Sequence, residues 1–342
     1  MKKNSAISKR VTIKDIAKAA GVDPSTVTRA LGGSPRVKHS TRALIEGLAE
    51  ELGYVPSAIA RSLLTRQSNL IGVVIPDMTN PFFDALVRGI EHQASLYQQR
   101  VLVRSTDGDP DAERDAVRLF YELNVDGLII PIARCPQSFY ERLDKSTPVI
   151  HVNRDDAEHS VSCNTISASE ALVDHLIALG HRRIAFVSGV SGFVQEPKRI
   201  AYDRALQRAD IALKPDLLFA YDGSTDSVRK IADQLLNSPH NPTAVFSWND
   251  VCAISLIHVL HERGISIPEQ MSVAGHDNID MAALVQPTLT TVNWPMTEIG
   301  IRSVNLLMNI QGRSTEQCVA IPAPQLLIRD STGPCPQPKR TD

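Results

Sequence analysis

Two short stretches near the amino terminus carry apolar residues at the three- and four-residue spacing of helices. In the first, Thr12 and Asp15 have the spacing of a capping box, and Gly21 ends the apolar pattern. The second starts with Asp23, which can cap free N–H groups, and Pro24, which suits a first helical turn. The pattern therefore predicts two short helices joined by a tight turn.

A third stretch, at about 39–52, has the same spacing and stops at Gly53. It would close a small apolar core, which we expect to contain Ile16, Ala17, Ala20, Val27, Ala30, Leu31, Leu44, Ile45, Leu48, Ala49 and Leu52. Two short helices with a tight turn and a closing third helix predict a helix-turn-helix domain over 10–56.

The second of these helices would present small polar residues and one arginine on its outer face. An α-helix fits the major groove of DNA, where Arg29 can donate two hydrogen bonds to one guanine. The residues that we expect to contact DNA from this domain are Thr12, Pro24, Ser25, Thr26, Thr28 and Arg29.

From about residue 67, short continuous apolar runs alternate with helical stretches. The expected strands are 70–76, 101–103, 125–130, 149–152, 184–187, 217–220, 244–246 and 272–274. Continuous apolar strands alternating with helices predict parallel sheets covered on both faces. Two such sets imply two doubly wound α/β lobes, whose ligand crevice lies at the carboxyl ends of the strands.

Length and composition agree with this division. The chain has 342 residues, of which 43% are hydrophobic and 22% charged, as in globular proteins of two or three domains. No apolar run is long enough to cross a membrane. The five cysteines are scattered without metal-ligand spacing, so we expect no metal site and a cytoplasmic, nucleoid-associated protein.

The charge is distributed unevenly along the chain. Residues 1–66 contain 12 lysines and arginines but only five acids, a net charge of +7, while the remainder carries −9. A basic head on an acidic body predicts that the head binds a polyanion. The alternative is a solvated basic tail, which the predicted helices of the head disfavour.

Residues 11–22 (VTIKDIAKAAGV), then Thr26-Val27-Thr28-Arg29, resemble the amino-terminal signature of the lactose/galactose repressor family of bacterial transcription regulators. The segment 53–63 (GYVPSAIARSL) resembles that family's hinge, and the resemblance continues to about residue 330. The chain departs from the family at Asp23, Thr28, Gly32 and Lys38. Pro24 and Ser25 lie where operator-reading side chains usually occur, which shifts the expected base reading towards Arg29.

The resemblance implies a homodimer, in some members a tetramer, that binds a near-palindromic double-stranded operator. It also implies a hinge helix within 57–66, with Ser57, Ala60 and Leu63 at the DNA and Leu63 wedged between base steps. So short a helix is marginal alone in water, so it would fold only when supported. The alternative for 57–66 is a simple linker.

By the same resemblance, the body is similar to periplasmic sugar-binding proteins. It implies no cofactor but a small-molecule effector, for which planar polar groups and aromatic rings predict a sugar or a sugar acid. The expected effector-binding residues are Asn80, Phe82, Phe83, Arg154, Phe193, Arg199, Tyr221, Trp248, Asn249 and Asp277. Two alternatives are an ion pair of Arg199 with Asp277 that braces the cleft, and ordinary core packing for one of the two phenylalanines.

The predicted effector-binding and dimerisation domain covers 67–330. Its first lobe comprises about 67–164 and 294–330, its second about 165–293, and residues 331–342 read as a flexible tail.

Catalytic motifs are missing from the sequence: it has neither a Walker A loop nor a nucleophile elbow. We therefore expect a ligand-responsive repressor of carbohydrate genes and no enzyme. The alternatives are a cytoplasmic small-molecule-binding protein without gene control and an enzyme with an accessory DNA-binding head.

Overall fold

The chain divides into two compact units, Met1–Ser68 and Asn69–Asp342. The structure is a computed structural model that describes residues 11–54, 67–154, 156–189, 196–315 and 320–337. None of the helices in these ranges is both long enough and apolar enough to cross a bilayer.

The first unit consists of three helices, α1 (Ile13–Ala20), α2 (Pro24–Leu31) and α3 (His39–Glu51). The capping box at the start of α1 is confirmed, because the Asp15 carboxylate accepts from both the backbone N–H and the hydroxyl of Thr12. The small core buries six side chains, Ile16, Ala17, Val27, Ala30, Ile45 and Ala49. The predicted helix-turn-helix fold is therefore confirmed.

Gly21 ends α1 in the left-handed conformation, with φ at +65°. An added Cβ would meet no atom within 4 Å, so the backbone conformation, and not crowding, favours glycine here. Three details of the prediction are wrong. Leu44 and Leu52 are 51% and 39% exposed and lie outside the small core. Asp23 occupies the N-cap of α2 without a side-chain capping bond.

The second unit begins with a parallel five-stranded sheet in the order β2-β1-β3-β4-β5. Its strands are β1 (Leu70–Ile75), β2 (Arg100–Ser105), β3 (Gly127–Pro131), β4 (Val149–Val152) and β5 (Ser160–Val161). Its connecting helices are α4 (Phe82–Leu96), α5 (Pro110–Glu122) and α6 (Gln137–Tyr140). The short edge strand β5 was not predicted, since two residues give no alternating pattern.

A second parallel sheet has the order β7-β6-β8-β9. Its strands are β6 (Ile184–Ser188), β7 (Leu218–Ala220), β8 (Ala244–Phe246) and β9 (Ser272–Ala274). The helices of this lobe are α7 (Thr165–Ala178), α8 (Pro197–Arg208), α9 (Thr225–Leu236) and α10 (Asp250–Glu262), with short 3₁₀ helices at Pro215–Leu217 and Asp280–Ala283. The predicted pair of doubly wound α/β lobes is therefore confirmed.

The chain returns to the first lobe through β10 (Thr291–Asn293), which pairs antiparallel with β11 (Gln325–Leu327), and α11 (Met296–Ile310). Helix α11 packs directly on α4. An added Cβ at Gly300 would lie 2.4 Å from the carbonyl oxygen of Leu86, and one at Gly89 would lie 2.2 Å from that of Thr297. Only glycines allow the two backbones to approach so closely.

The expectation of a flexible tail over 331–342 is wrong for its first part. The Ser331 hydroxyl donates to the Val273 carbonyl oxygen at 2.6 Å, and the Cys335 N–H donates to the Leu179 carbonyl oxygen at 2.8 Å. Ser331 is fully buried. The described part of this segment, up to residue 337, therefore lies on the second lobe, held by hydrogen bonds to residues distant in sequence.

Candidate functional site

Helix α2 presents the residues that we expect to contact DNA. Pro24, Ser25 and Arg29 are exposed, while Thr26 and Thr28 are half-buried. The Thr28 hydroxyl donates to the Pro24 carbonyl oxygen at 3.0 Å, so it already has a partner within its own helix. The exposed face of α2 therefore carries one positively charged side chain, Arg29, among small side chains.

The remaining expected DNA contacts lie at the start of α1 and in the hinge. Thr12 is exposed, but its hydroxyl is engaged by Asp15 in the capping box. Ser57, Ala60 and Leu63 lie outside the described residues, so their predicted roles stay predictions.

A cavity of about 460 Å³ in the second unit brings Phe82 and Asp277 together. Phe82 begins α4, whereas Asp277 follows β9, so each lobe contributes one wall. Trp294, just after β10, also lines the cavity, and its ring centroid lies 6.5 Å from that of Phe82 with the rings nearly perpendicular. The cavity thus combines an aromatic corner with a carboxyl group.

A hydrogen-bond chain behind this cavity determines the state of His276. The Trp294 indole N–H can only donate, and it lies 3.0 Å from Nδ1 of His276, which must therefore accept. Nε2 then carries the proton and donates to the Ser169 hydroxyl at 3.0 Å. Complete burial and the nearby charge of Lys198 lower the pKa of His276 well below its usual value, in agreement with a neutral ring.

The carboxyl group of Asp277 is buried without a hydrogen-bond donor among the described side chains that surround it. Among the described side chains its only polar contact is with His276 Nδ1 at 3.5 Å, and that nitrogen already accepts from Trp294. Burial raises the pKa of Asp277 well above its usual value, Lys198 opposes this, and Asp250 adds to it. The backbone here has φ at +136°, a conformation that side-chain-bearing residues rarely adopt.

Two charged groups of the second lobe influence Asp277, although neither lines the cavity. Asp250 accepts from the Thr291 hydroxyl at 2.6 Å and from the Ile279 N–H at 3.0 Å, and burial raises its pKa to about 6. Lys198, in the first turn of α8, donates to the Trp248 carbonyl oxygen at 2.6 Å and lies 4.1 Å from the centroid of its ring. Lys198 therefore supplies positive charge beside a group of buried carboxyls.

The other expected effector residues are largely engaged with their own lobes. Trp248 already packs against the Lys198 ammonium, and the Asn249 amide oxygen caps α10 by accepting from the Cys252 N–H at 2.9 Å. Arg199 pairs with Asp203 at 2.8 Å and not with Asp277, so the proposed bracing ion pair is wrong.

In the first lobe, Asn80 accepts from the Phe82 N–H at 3.1 Å and so positions that ring, whereas Phe83 is buried in the core. Arg154 binds Asp156 and the Cys135 carbonyl oxygen within the same lobe and does not line the Phe82–Asp277 cavity.

Two further positions complete the set. Tyr221 is buried, and desolvation raises the pKa of its phenol to about 12. Phe193 lies outside the described residues.

Sequence reasoning missed Trp294, His276 and Lys198. Trp294 is one of only two tryptophans and follows the strand at which the chain was expected to change lobes. Lys198 directly precedes Arg199, a residue already selected. The sequence could have drawn attention to these residues, but it could not show their roles, which depend on contacts between distant segments.

Comparison with known proteins gives two family matches. Residues 12–57 match the bacterial regulatory proteins of the lacI family, and residues 173–332 match the periplasmic binding protein-like domain. Catabolite control protein A from Priestia megaterium is 33% identical over 332 residues, covering 94% of this chain and 99% of its own.

Two solved structures resemble almost the whole chain. The lac repressor dimer bound to operator and the anti-inducer ONPF has a TM-score of 0.80 and 27% identity, covering 95% of this chain and 100% of its own. The complex of the transcriptional regulator CelR with cellobiose has a TM-score of 0.68 and 25% identity, covering 94% and 100%.

Proposed function

The chain belongs to the lacI family of bacterial regulatory proteins, which are DNA-binding transcription regulators and not enzymes. From this premise we propose which class of genes the protein regulates and which class of ligand it binds. It represses carbohydrate genes by binding a near-palindromic operator as a homodimer. A sugar or sugar acid binds between the lobes, in the cavity that Phe82 and Asp277 share, and changes operator affinity.

The observation that carries the choice of ligand is the buried carboxyl of Asp277, to which no described side chain donates a hydrogen bond. A buried acceptor without a donor costs free energy, which a ligand hydroxyl would recover. Sugars supply hydroxyl donors together with apolar C–H faces, and Phe82 and Trp294 offer aromatic surface beside the carboxyl. The cellobiose complex of the similar regulator CelR supports a ligand of this class.

Recognition of DNA rests on α2. Exposed Arg29 is suited to bidentate contact with guanine, and the basic residues of the head supply phosphate contacts. Since phosphate contacts release counterions, operator affinity should fall steeply with salt.

The test starts from operator sites selected from genomic DNA with the purified full-length protein. Affinity is then measured by fluorescence anisotropy, with and without a panel of neutral sugars and sugar acids. Arg29→Ala should lose roughly 1–3 kcal/mol at one base position and relax preference there. Asp277→Asn should keep operator binding but lose the response to the active sugar.

The matched control for the second variant is Asp222→Asn, an exposed carboxylate of the same lobe that accepts from Ser224. It should retain both activities. The proposal fails if no sugar or sugar acid changes operator affinity, or if Asp277→Asn responds like the parent. An unchanged base preference of Arg29→Ala would refute the assignment of α2.

The proposed hinge function depends on residues 57–66, which lie outside the described residues, so this proposal rests on the sequence alone. Leu63→Ala should weaken operator binding more than binding to random duplex, because a wedge acts only at the central base steps. Equal losses on both kinds of DNA would contradict the wedge.

A further inference from the structure

A second cavity, of about 480 Å³, lies within the first lobe. Its walls come from the end of α5, from α6 and the loop after it, and from β4 with the loop that follows. Among the residues that line it are Tyr121, Gln137, Tyr140, Glu141, Asp144 and His151. None of these residues lines the cavity shared by Phe82 and Asp277.

Glu113 does not line this cavity itself but binds Tyr140, which does. Its buried carboxylate accepts from the Tyr140 hydroxyl and, at 2.8 Å each, from the N–H groups of Arg134 and Cys135. The Arg154 guanidinium lies 5.5 Å from the centroid of the Tyr140 ring and donates to the Cys135 carbonyl oxygen. These groups satisfy one another, so they build the wall without needing a ligand.

The imidazole of His151 is not satisfied in this way. The residue is only 2% exposed and lines the cavity, and its Nδ1 is buried without a hydrogen-bond partner among the described residues. Its ring meets that of Tyr140 edge-on, with the centroids 4.6 Å apart. Burial, with the charge of Arg154, lowers its pKa to about 4, so the ring is neutral. The side-chain oxygen of Gln137, in the same wall, is also buried and unpaired.

The mouth of the cavity is negatively charged. Of its four carboxylates, Asp156 is paired with Arg154 at 2.8 Å and Glu158 with Lys145 at 3.2 Å. The other two are Glu141 and Asp144, and in the described parts of the chain neither has a cationic partner. Both are exposed. Asp144 does accept from the Ser146 N–H at 2.9 Å. Two carboxylates without a cation, the unpaired Gln137 oxygen and the unpaired Nδ1 of His151 are therefore the groups that a ligand could engage.

We propose that this cavity binds a small organic ammonium ion, independently of the effector between the lobes. Its N–H groups would donate to the unpaired oxygen of Gln137 and to the carboxylates of Glu141 and Asp144, where charge strengthens the bonds. Its alkyl part would lie against the tyrosine rings. A neutral ligand would leave the two mouth carboxylates uncompensated.

The probe is 1,4-diaminobutane, titrated into the full-length protein by isothermal calorimetry, with butane-1,4-diol as its neutral counterpart. The diamine should bind at one site per chain, and the diol about tenfold more weakly or worse. Failure of the diamine to bind up to millimolar concentration, or equal binding of the diol, would overturn the proposal.

Two variants locate the binding. Glu141→Gln combined with Asp144→Asn should weaken diamine binding about tenfold, whereas Glu269→Gln, an exposed carboxylate of the other lobe, should not change it. His151→Phe keeps the ring contact with Tyr140 but removes both nitrogens, and should also weaken binding. If His151→Phe does not fold, the double variant at the exposed Glu141 and Asp144 still tests the proposal. Unchanged diamine affinity in that variant would refute the site.

Discussion

Replacing Asp277 by asparagine should make the folded protein more stable while it removes the proposed response to sugar. The carboxyl is buried, has no donor among the described side chains around it, and faces the like charge of Asp250. Its pKa is therefore raised in the folded state. A residue that merely supported the fold would show the opposite effect, because its loss would lower the free energy of unfolding.

The sign and size of the effect follow from linkage. Below the ordinary aspartate pKa, Asp277 is protonated in both folded and unfolded states and costs nothing. As pH rises, the unfolded chain ionises first, so the free energy of unfolding falls until pH passes the raised folded-state pKa. A buried charged acceptor without a donor costs roughly 1–3 kcal/mol, and Asp277→Asn should recover that amount near neutral pH.

Urea unfolding of parent and variant, at one protein concentration and at several pH values, measures this difference. The gain of Asp277→Asn should be largest near pH 8 and disappear near pH 4. Asp222→Asn is the control, since the hydroxyl and N–H of Ser224 lower the pKa of Asp222 and its loss should not stabilise the fold. A destabilised Asp277→Asn, or a gain independent of pH, would refute the account of this carboxyl.

Two packing predictions, one within the first lobe and one at the segment that lies on the second lobe, are measured by the same unfolding assay. Gly300→Ala places a Cβ 2.4 Å from the Leu86 carbonyl oxygen and should cost about 1–3 kcal/mol, whereas Gly47→Ala, with open space around it, should gain about 0.5–1 kcal/mol. If Gly300→Ala is as stable as the parent, the contact between α4 and α11 is described wrongly. Ser331→Ala leaves the buried Thr290 N–H without its acceptor and should lower the free energy of unfolding by about 1–3 kcal/mol. If the free energy of unfolding does not fall, the original prediction of a flexible tail is favoured again.

Local signals explain why most of the fold could be predicted from the sequence. The capping box of Thr12 with Asp15 and the left-handed turn at Gly21 involve neighbours in the chain, and apolar runs such as β1 report burial directly. Spacing alone could not tell that Leu44 would face away from the core. Nor could the polar, proline-containing composition near Ser331 reveal a hydrogen bond to Val273, 58 residues away.

The candidate site was harder to predict from the sequence, because it too depends on contacts between distant segments. Resemblance selected Asp277 and Phe82, but nothing in the sequence indicated that Trp294 would fix the tautomer of His276. The aromatic surface assigned to Trp248 is instead in contact with Lys198, and the side chain beside Phe82 is Trp294. Side-chain partners across the cleft are set by how the crossing strands place them, which single-sequence patterns do not encode.

The proposed connection between this cavity and regulation rests on the segments that form its walls. Asp277 is attached to β9 of the second lobe, whereas Phe82 begins α4 of the first, so a ligand that touches both must favour one arrangement of the lobes over others. A ligand shifts such an equilibrium only by its difference in affinity for the two arrangements. Hydroxyl donors to Asp277 have no competitor among the described side chains, so they contribute most where the cavity is closed around them. Regulatory strength should therefore depend on the donors that a sugar presents to Asp277 more than on the apolar area that it buries against Trp294.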